Sequence, residues 1–483
     1  MTEVQLLIAD RDTAASNAAT FDRANPISGS VATRAAAATV DDARAAAAAA
    51  AAAFPAWSAQ GPNERRKKLL HAADLLESRT QDFIIVMMDE IGSTAGWAGF
   101  NVYLAAQMLR EAASMTTQVS GETIPSDVPG SLAFSIRQPV GVVLGIAPWN
   151  APVILGVRAV AMPLACGNTV VLKASEICPA THRLIGTVLH EAGLDHGVIN
   201  VLTHDPASAS AIVEALIADP VVRRVNFTGS TRVGKMLAVT AAKYLKPILL
   251  ELGGKAPMLI LDDADLDAAV DAAAFGAFLN QGQICMSTER IIVDEKVADA
   301  FAQKFVAKVK SLPCGDPRQG EVVLGAVVGM PTVDRVQALV KDAIARGAKV
   351  LLQGDAQGTV MPAVIVDHVT PDMRIFREES FGPSVSLTRF KTTEEAIRLA
   401  NDTEYGLAAA VFGRDVARAF EVAKRIDSGM CHINAPTVHD EAQMPFGGVK
   451  ASGYGRFGGK AAVEQFTELR WITIETQAGH FPI

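Results

Sequence analysis

A cysteine in a polar loop is the first residue whose type and setting point to chemistry. Cys285 lies within residues 278–290, where glycine, glutamine, serine and threonine surround it, between an Ala-rich run and a β-branched run. A thiol in a loop is accessible and its pKa can be tuned, whereas a structural cysteine normally lies inside an apolar run. Cys285 is therefore a candidate nucleophile. Loop context alone leaves an inert thiol as the alternative.

A carboxylate earlier in the chain is the second candidate. Glu251 follows Leu249 and Leu250 in a strand-like apolar run and precedes Leu252 and two glycines. Burying a carboxylate among leucines is costly unless it has a partner or a function. The apolar neighbours would also raise its pKa toward neutrality, where a carboxylate acts well as a general base.

A third segment, Gly-Ile-Ala-Pro-Trp-Asn at residues 145–150, ends an apolar strand with a side-chain amide. Taken with Glu251 and Cys285, in this order and at this spacing, it closely resembles the aldehyde dehydrogenase superfamily. The resemblance covers essentially the whole chain. It is closest to the bacterial aromatic aldehyde dehydrogenases, the salicylaldehyde, vanillin and benzaldehyde types.

The resemblance implies a covalent mechanism. Cys285 would add to the aldehyde carbon, hydride would pass to NAD, and water activated by Glu251 would hydrolyse the thioester. Asn150 and the Cys285 backbone N–H would donate to the oxyanion, although Asn150 also reads as a turn residue that ends a strand. Relatives that transfer the acyl group to coenzyme A generally lack this glutamate, so Glu251 favours release of the free acid.

The elements that must position these residues alternate between strand and helix. Strands at 170–173, 197–202 and 222–227 alternate with helices at 179–192 and 208–219. This alternation predicts a parallel sheet with helices on both faces. The expected fold class is α/β, with a doubly wound parallel-sheet nucleotide-binding domain, a second α/β catalytic domain and a small β oligomerisation arm. The predicted boundaries are 1–119 and 139–250 for the NAD-binding domain, 251–450 for the catalytic domain, and 120–138 with 460–483 for the arm.

Two further segments carry structural expectations. Residues 81–113 show one long helical pattern, and residues 1–35 are polar and turn-rich, as in a short hairpin or arm. Residues 469–475 alternate apolar and polar residues as an exposed strand would, and such strands are normally paired or covered. In the resembling family the arm docks on a neighbouring subunit, so we expect a homo-oligomer, either a dimer or a dimer of dimers.

The expected cofactor is NAD, although no Gly-x-Gly-x-x-Gly follows the first strand of the nucleotide domain. A Gly-x-x-x-x-Gly turn at residues 229–234 leads into a helix, and backbone N–H groups there can bind phosphate. By the resemblance, residues 173–176 match the family's adenosine-ribose site, where Glu176 would accept hydrogen bonds from ribose hydroxyls and repel a 2′-phosphate. This favours NAD, whereas Lys173 tempers that preference. A surface ion pair is the alternative for these two residues. With the residues that the resemblance adds, the predicted cofactor set is Ile146, Trp149, Lys173, Glu176, Gly229, Ser230, Gly234, Glu379 and Phe381.

The segment after Asn150 departs from the wider family. Ala151 and Arg158 replace two bulky aromatic residues, which leaves room for a flat ring, and Arg158 can donate to a ring hydroxyl or pair with a structural carboxylate. Salicylaldehyde is the expected substrate, with vanillin, benzaldehyde and a semialdehyde such as succinate semialdehyde as alternatives. Each predicted tunnel residue is also compatible with ordinary core. The predicted substrate set is Arg158, Trp97, Asn101, Leu104, Ile284, Met286, Val438 and Phe446.

Composition excludes several other classes. The net charge of −8 argues against a nucleic-acid partner. No apolar run approaches a membrane span, and the N-terminus does not resemble a secretory signal. Five scattered cysteines without metal-ligand spacing indicate a reducing cytoplasm, no disulfide framework and no metal. The remaining alternative of another class is a catalytically silent structural protein with the same fold.

Overall fold

The computed structural model describes residues 1–194, 196–478 and 483. Its helices are α1 (Val40–Ser58), α2 (Pro62–Ser78), α3 (Thr80–Ile91), α4 (Ala95–Met115), α5 (Pro152–Ala165), α6 (Pro179–Glu191), α7 (Ala209–Ala218), α8 (Thr231–Lys243), α9 (Leu266–Phe278), α10 (Glu295–Lys310), α11 (Met330–Ala345), α12 (Arg374–Arg377), α13 (Thr393–Asn401), α14 (Val416–Ala423) and α15 (Gly459–Gln465). Short 3₁₀ turns lie at Pro206–Ser208, Leu279–Gly282 and Lys450–Ser452. Its strands are β1 (Thr2–Val4), β2 (Leu6–Ile8), β3 (Arg11–Thr13), β4 (Thr20–Ala24), β5 (Val31–Ala36), β6 (Thr123–Ile124), β7 (Ser131–Pro139), β8 (Val142–Ile146), β9 (Thr169–Lys173), β10 (Ile199–Leu202), β11 (Val222–Thr228), β12 (Ile248–Glu251), β13 (Ala256–Ile260), β14 (Thr288–Asp294), β15 (Lys349–Leu352), β16 (Val364–Asp367), β17 (Ser384–Phe390), β18 (Ala408–Phe412), β19 (Met430–Ile433), β20 (Gly453–Tyr454) and β21 (Thr467–Glu475).

The first large sheet is doubly wound, as the strand and helix alternation predicts. Its order is β20-β12-β11-β8-β9-β10-β2-β3, with a parallel centre from β12 to β10 and antiparallel strands at both edges. The chain runs from β8 outward to β10 and then crosses back to β11 on the other side of β8. Such a reversal opens a crevice at the carboxyl ends of the two strands, where ligands of α/β sheets bind.

The second large sheet has the order β15-β16-β17-β14-β13-β18-β19 and is parallel except for β15. Its central strands are fully buried apolar runs, such as Met258–Leu261 and Ile291–Val293, which is typical of a parallel sheet covered on both faces. The two large sheets confirm the predicted α/β class, whereas the exact domain boundaries remain a prediction.

A separate antiparallel sheet has the order β21-β7-β6. Nine residues of β21 pair with β7, from Thr467 opposite Pro139 to Glu475 opposite Ser131. Leu469 and Trp471 on β21 are exposed. Residues 479–482 of the predicted arm lie outside the described part of the chain.

Two local expectations are corrected. The single helix expected over residues 81–113 is two helices, α3 and α4, which end and restart around Gly92 at a φ of 69°. A Cβ at residue 92 would approach Ala326 and Pro26 to 2.9 Å, so the sharp turn needs glycine. Residues 1–35 form more than one hairpin, because β2 and β3 extend the first sheet while β1, β5 and β4 form a sheet of their own.

Among the described helices, none is both long and apolar enough to cross a bilayer.

Candidate active site

A cleft of about 1080 Å³ lies where the first sheet faces the second. One wall comes from residues that follow β8, β11 and β12, at the crevice that the strand reversal opens. The other wall comes from the loop before β14 and from the loop that follows α12. The cleft brings together eight of the predicted residues: Trp149, Asn150, Gly229, Ser230, Glu251, Cys285, Glu379 and Phe381.

The loop that carries Cys285 is held in a strained conformation. Asn280 and Gln281 have φ values of 50° and 57°, and Gly282 follows at 67°. Left-handed non-glycine residues each cost about 1 kcal/mol or more, and such strain concentrates at functional sites. The Asn280 amide donates to the Asn150 carbonyl at 2.9 Å, and the Val328 N–H donates to the Gln283 side chain at 2.9 Å. The loop is therefore fixed to both walls of the cleft.

Glu251 is the last residue of β12 and is 1% exposed. Neither carboxylate oxygen has a hydrogen-bond partner among the described residues. Burial raises the pKa of Glu251 to about 7, while Arg158 opposes that rise. A carboxyl group with this pKa exchanges its proton near neutral pH, which suits a general base.

Cys285 is partly buried, with its thiol facing the Glu251 carboxyl. Burial, and then the neighbouring Glu251, raise the pKa of Cys285 well above its usual value. The resting side chain is therefore a thiol, and it needs a base before it can act as a nucleophile. A residue larger than glycine at position 254 would collide with this loop, because a Cβ there would lie 2.2 Å from the Cys285 carbonyl oxygen.

Asn150 is buried between the two walls of the cleft, and hydrogen bonds hold both its side chain and its backbone carbonyl. Its Nδ2 donates to the Gln283 carbonyl at 3.0 Å. Its own carbonyl accepts from the Trp97 indole at 3.0 Å and from Asn280. One of the two protons of the Asn150 amide is thus engaged, and the other remains to donate to a developing oxyanion.

The loop after α12 is held in place by a buried carboxylate, Glu289. Glu289 on β14 accepts from the backbone N–H groups of Ser380 and Phe381 at 2.8–3.1 Å. This fixes Glu379, whose carboxyl accepts from the Gly254 N–H at 2.9 Å and whose pKa is raised to about 7 by burial. The Phe381 ring meets Trp149 edge to face at 5.7 Å across the cleft.

Lys173 and Glu176 lie at the carboxyl end of β9, with Nζ and Oε2 3.7 Å apart. His204, which follows β10, is a residue that sequence reasoning missed. Its Nε2 lies 4.0 Å from Glu176 and has no hydrogen-bond partner within the described chain, while its Nδ1 is 2.9 Å from the Asp205 carbonyl. Burial lowers the pKa of His204 to about 4, so the ring is neutral at neutral pH. A lone histidine directly after a predicted parallel strand was the available signal.

Four predicted cofactor residues do not line the cleft: Lys173, Glu176, Gly234 and Ile146. Gly234 lies inside α8, where a Cβ would meet Leu252 at 2.4 Å, so this glycine permits close packing of helix on strand. Ile146 is a buried end of β8 that packs in the core beneath the cleft. The N-terminus of α8 begins at Ser230, whose hydroxyl accepts from the Val233 N–H.

On the side away from the nucleotide cleft, Arg158 pairs with Asp440 and both side chains are buried. The pairing alternative for Arg158 is therefore the arrangement observed. Asn101 is fully buried and donates to the Trp97 carbonyl at 3.0 Å, which gives it a positioning role on α4. The other predicted tunnel residues share one apolar cluster: Trp97, Leu104, Ile284, Met286, Val438 and Phe446. In the described ranges, no group of His, Cys, Asp or Glu has the arrangement of a metal site.

Comparison with known proteins agrees with this geometry. The aldehyde dehydrogenase family model matches residues 13–472. A vanillin dehydrogenase of Pseudomonas fluorescens is 60% identical over 483 residues, which is 100% of both chains. The crystal structure of a salicylaldehyde dehydrogenase from Pseudomonas putida G7 complexed with salicylaldehyde is 52% identical, with a TM-score of 0.99 and 100% of both chains covered. A structure of PnpE in complex with nicotinamide adenine dinucleotide is 37% identical, with a TM-score of 0.95 and 99% of both chains covered.

These matches cover the fold, the whole length of the chain and the segments that build the cleft. The chain therefore belongs to the aldehyde dehydrogenase family and is an aldehyde dehydrogenase enzyme.

Proposed function

We propose that this enzyme oxidises aromatic aldehydes to free carboxylic acids with NAD, through a thioester on Cys285. The observation that carries the proposal is the pairing of the Cys285 thiol with the buried carboxyl of Glu251 inside the nucleotide cleft. A nucleophile with an adjacent base is the arrangement that acyl chemistry requires. The catalytically silent alternative would not need a carboxylate kept free of partners beside a thiol.

In the first step, Glu251 accepts the proton of the Cys285 thiol and the thiolate adds to the aldehyde carbon. The carbonyl oxygen becomes an oxyanion, which the free N–H of the Asn150 amide and the Cys285 backbone N–H stabilise. The addition makes the carbon tetrahedral and electron-rich, which is the condition for losing a hydride. NAD, when bound, supplies the hydride acceptor.

In the second half, Cys285 holds the acyl group as a thioester. Glu251 first releases the proton of the Cys285 thiol to solvent, and it then takes a proton from water as that water attacks the thioester carbon. The carbon–sulfur bond breaks, Glu251 gives this proton to the departing sulfur, and the acid leaves with the Cys285 thiol restored. A pKa of about 7 allows Glu251 to accept and release protons in both halves of the cycle near neutral pH.

The residues at the first sheet fit NAD. The α8 N-terminus at Ser230 offers backbone N–H groups to a pyrophosphate, and Glu379 beside Phe381 suits a ribose near the nicotinamide. At the adenosine end, the Glu176 carboxylate is an acceptor that matches the hydroxyl donors of a ribose and opposes a 2′-phosphate. The NAD complex of the relative PnpE supports this assignment.

An aromatic substrate is supported by the relatives and by the tunnel. Both relatives with 52–60% identity act, by name, on benzaldehydes that carry a ring hydroxyl. The tunnel side of Cys285 is apolar, with Trp97, Leu104 and Phe446 in one cluster, which suits a flat ring. Vanillin stands beside salicylaldehyde as a candidate, because the vanillin dehydrogenase is the more similar of the two in sequence.

The experiment that tests the proposal is an aldehyde panel with purified enzyme. It compares vanillin, salicylaldehyde, benzaldehyde, propanal and succinate semialdehyde, each with NAD and with NADP. We expect the highest kcat/KM for an aromatic aldehyde with NAD and a free acid as product. A higher kcat/KM for propanal or succinate semialdehyde overturns the aromatic assignment, and a higher kcat/KM with NADP overturns the cofactor.

We also propose that the protein is at least a dimer through the arm formed by β6, β7 and β21. The arm exposes apolar side chains, with Trp471 at 74% and Leu469 at 61%, on a strand that extends from the domains. Exposed apolar residues on a sheet of this kind favour burial against a second copy. Analytical ultracentrifugation at micromolar concentration tests this, and a sedimenting mass equal to one chain would exclude it.

A further inference from the structure

Asp440 is a buried carboxylate with one oxygen engaged and one oxygen free. Its side chain is 9% exposed, and its Oδ2 holds the Arg158 guanidinium. Its Oδ1 has no hydrogen-bond partner in the part of the chain that the structure describes. The backbone N–H of Glu441, the next residue, is close to the carboxylate but forms no hydrogen bond with Oδ1. A buried acceptor without a donor is costly, so its retention points to a ligand that supplies the donor.

The partner of Asp440 is itself fixed. The Arg158 guanidinium lies over the Phe446 ring at 4.1 Å and within 5.8 Å of the Phe457 ring. Both rings are buried, so the cation is held by stacking as well as by its ion pair. Because Arg158 cannot swing away, the free oxygen of Asp440 keeps one direction, which is what a recognition group needs.

Two cavities meet at Asp440. One, of about 30 Å³, is lined by Arg158, Phe446 and Phe457 together with Asp440. The other, of about 390 Å³, is lined by Tyr103, Leu104 and Gln107 together with Asp440.

Neither lining includes Cys285 or Glu251, yet Arg158 and Asp440 both act on the charge of Glu251. The two charged side chains are therefore within electrostatic range of Glu251 but line cavities that the reacting groups do not line.

We propose that Asp440 is the acceptor for a ring hydroxyl of the aromatic aldehyde, at the meta or para position, with Arg158 as its positioning partner. This inference rests on the proposed function and names the substrate class within it. A hydroxyl ortho to the aldehyde stays beside the reacting carbon and Cys285, whereas a meta or para hydroxyl projects toward the far end of the ring. We assign that end of the ring to Asp440, because the cavities at Asp440 are not lined by Cys285 and a phenolic O–H would supply the donor that its Oδ1 lacks.

The same geometry disfavours a semialdehyde with a terminal carboxylate. A carboxylate needs a free cation, but the charge of Arg158 is already neutralised by Asp440. The free Asp440 oxygen would face the incoming carboxylate and repel it. A group that both donates a hydrogen bond and carries no negative charge is what this end of the tunnel selects.

The decisive experiment needs no variant, because it changes only the donor on the substrate. Wild-type enzyme is assayed with 4-hydroxybenzaldehyde and 4-methoxybenzaldehyde, and with vanillin and its 4-O-methyl ether. Methylation removes the O–H and leaves the ring. A hydrogen bond to a charged group corresponds to a loss on the order of 10-fold to 100-fold in kcat/KM for each methylated member. Equal kcat/KM within both pairs overturns the inference.

Asp440→Asn sharpens the result. Arg158 has only donors to offer, so the asparagine oxygen should face Arg158 and its NH₂ should replace the acceptor in the tunnel. We expect the ratio of kcat/KM for 4-hydroxybenzaldehyde to kcat/KM for benzaldehyde to fall at least about tenfold, because an effect of the lost charge on Glu251 is common to both substrates. Equal losses for both substrates would mean that Asp440 only maintains the structure. Asp355→Asn, at an exposed carboxylate that lines neither cavity, is the matched control and should leave both values unchanged.

Salicylaldehyde provides the third arm. Its ortho hydroxyl does not reach Asp440 in this arrangement, so Asp440→Asn should affect salicylaldehyde no more than benzaldehyde. A selective loss for salicylaldehyde would overturn the assignment of ring position. If benzaldehyde is oxidised and a hydroxyl makes no difference, only this inference fails. If no aromatic aldehyde is oxidised with NAD or NADP, the proposed function itself fails.

Discussion

Two buried glutamates in different regions of the molecule show how the same side chain becomes an anchor or a base. Glu90, near the end of α3, accepts four hydrogen bonds at 2.7–3.1 Å from Thr33, Ala180 and Thr181. Glu251, at the end of β12, accepts none from the described residues. Both are at most 1% exposed, and burial raises the pKa of each.

The difference lies in the donors that the surrounding backbone offers. Ala180 and Thr181 belong to the first turn of α6, so their N–H groups have no partner inside the helix and point at Glu90. Glu251 ends a strand at the edge of the cleft, where its surroundings are leucine side chains and the Cys285 thiol. A carboxylate held by four donors is fixed in place. One with no donor is free to take protons from a thiol and from water.

Dehydrogenase activity in the cleft that holds Glu251 should depend most strongly on the nucleophile, Cys285. Cys285→Ala should reduce dehydrogenase activity at least about 1000-fold, because no covalent intermediate forms and hydride has no activated carbon to leave. NADH absorbance in steady state measures the loss. Cys431→Ala, at a partly buried thiol on β19 and outside the cleft, is the matched control and should keep near-normal turnover. Near-normal turnover in Cys285→Ala would remove the basis of the mechanism.

Glu251→Gln tests the base directly. Steady-state turnover should fall on the order of 100-fold to 1000-fold, because an amide cannot take the proton of water in deacylation. If deacylation is the step most affected, rapid mixing should give a burst of NADH near one equivalent of active sites, followed by a slow phase. Slow turnover without a burst would place the main role of Glu251 in activating Cys285 rather than in hydrolysis.

The raised pKa of Glu251 fixes the direction of two pH dependences, one of deacylation and one of stability. Glu251 acts unprotonated, so deacylation should rise about tenfold per pH unit below its pKa of about 7 and level off above it. Its pKa is raised above the unfolded value of 4.5, so its stabilising effect is complete below pH 4.5 and is lost as pH rises through about 7.

Glu251→Gln removes that dependence on pH. Relative to wild type, the variant should gain on the order of 1–3 kcal/mol in unfolding free energy between pH 5 and pH 8, as measured by urea denaturation. An unchanged difference between the two proteins across this range would contradict a raised pKa.

Glu90→Gln should have the opposite consequence to Glu251→Gln. Replacing one acceptor oxygen by an NH₂ group leaves two of the four donors unmatched, at a cost of about 1–3 kcal/mol in unfolding free energy. Activity per folded molecule should stay within about twofold, because Glu90 touches neither the cleft nor Cys285. Urea denaturation and active-site titration measure the two quantities. Loss of activity in fully folded Glu90→Gln would contradict a purely structural role for Glu90.

Glu176 has one charged partner, so it is intermediate between Glu90, which has four hydrogen-bond donors, and Glu251, which has none among the described residues. Its substitution should have the smallest effect of those considered. It is partly exposed and has one cation, Lys173, at 3.7 Å. Glu176→Gln removes the charge that opposes a 2′-phosphate, so the preference for NAD over NADP should fall about fivefold to tenfold. The ratio of kcat/KM for the two cofactors measures it. A ratio that does not move would assign the preference to His204 or to Lys173.

Much of the site was accessible from the sequence because its residues stand at the ends of predicted strands. Asn150 follows β8, Gly229 follows β11 and Glu251 ends β12, and carboxyl ends of parallel strands share one edge of a sheet. The apolar neighbours of Glu251 likewise predicted its raised pKa. The role of Gly234 stays a prediction, because a glycine that binds phosphate and one that permits close helix packing have the same appearance in a sequence.

The sequence could not predict which charged side chains pair with each other. Asp440 is far along the chain from Arg158, and no local pattern links them. His204 and Glu176 are likewise brought together by β9 and β10 lying side by side. The break at Gly92 was also missed, because the helical periodicity continues across it and only the contacts with Ala326 and Pro26 require the turn.

The sequence by itself determined the α/β class and identified the candidate nucleophile, base and amide, because residue type and position at strand ends are local properties of the chain. Only the tertiary structure decided which carboxylates are satisfied and which are left free, as Glu251 and Asp440 are. Hydrogen-bond partners come from distant segments, and the free energy of a buried charge depends on all the groups packed around it rather than on its neighbours in sequence.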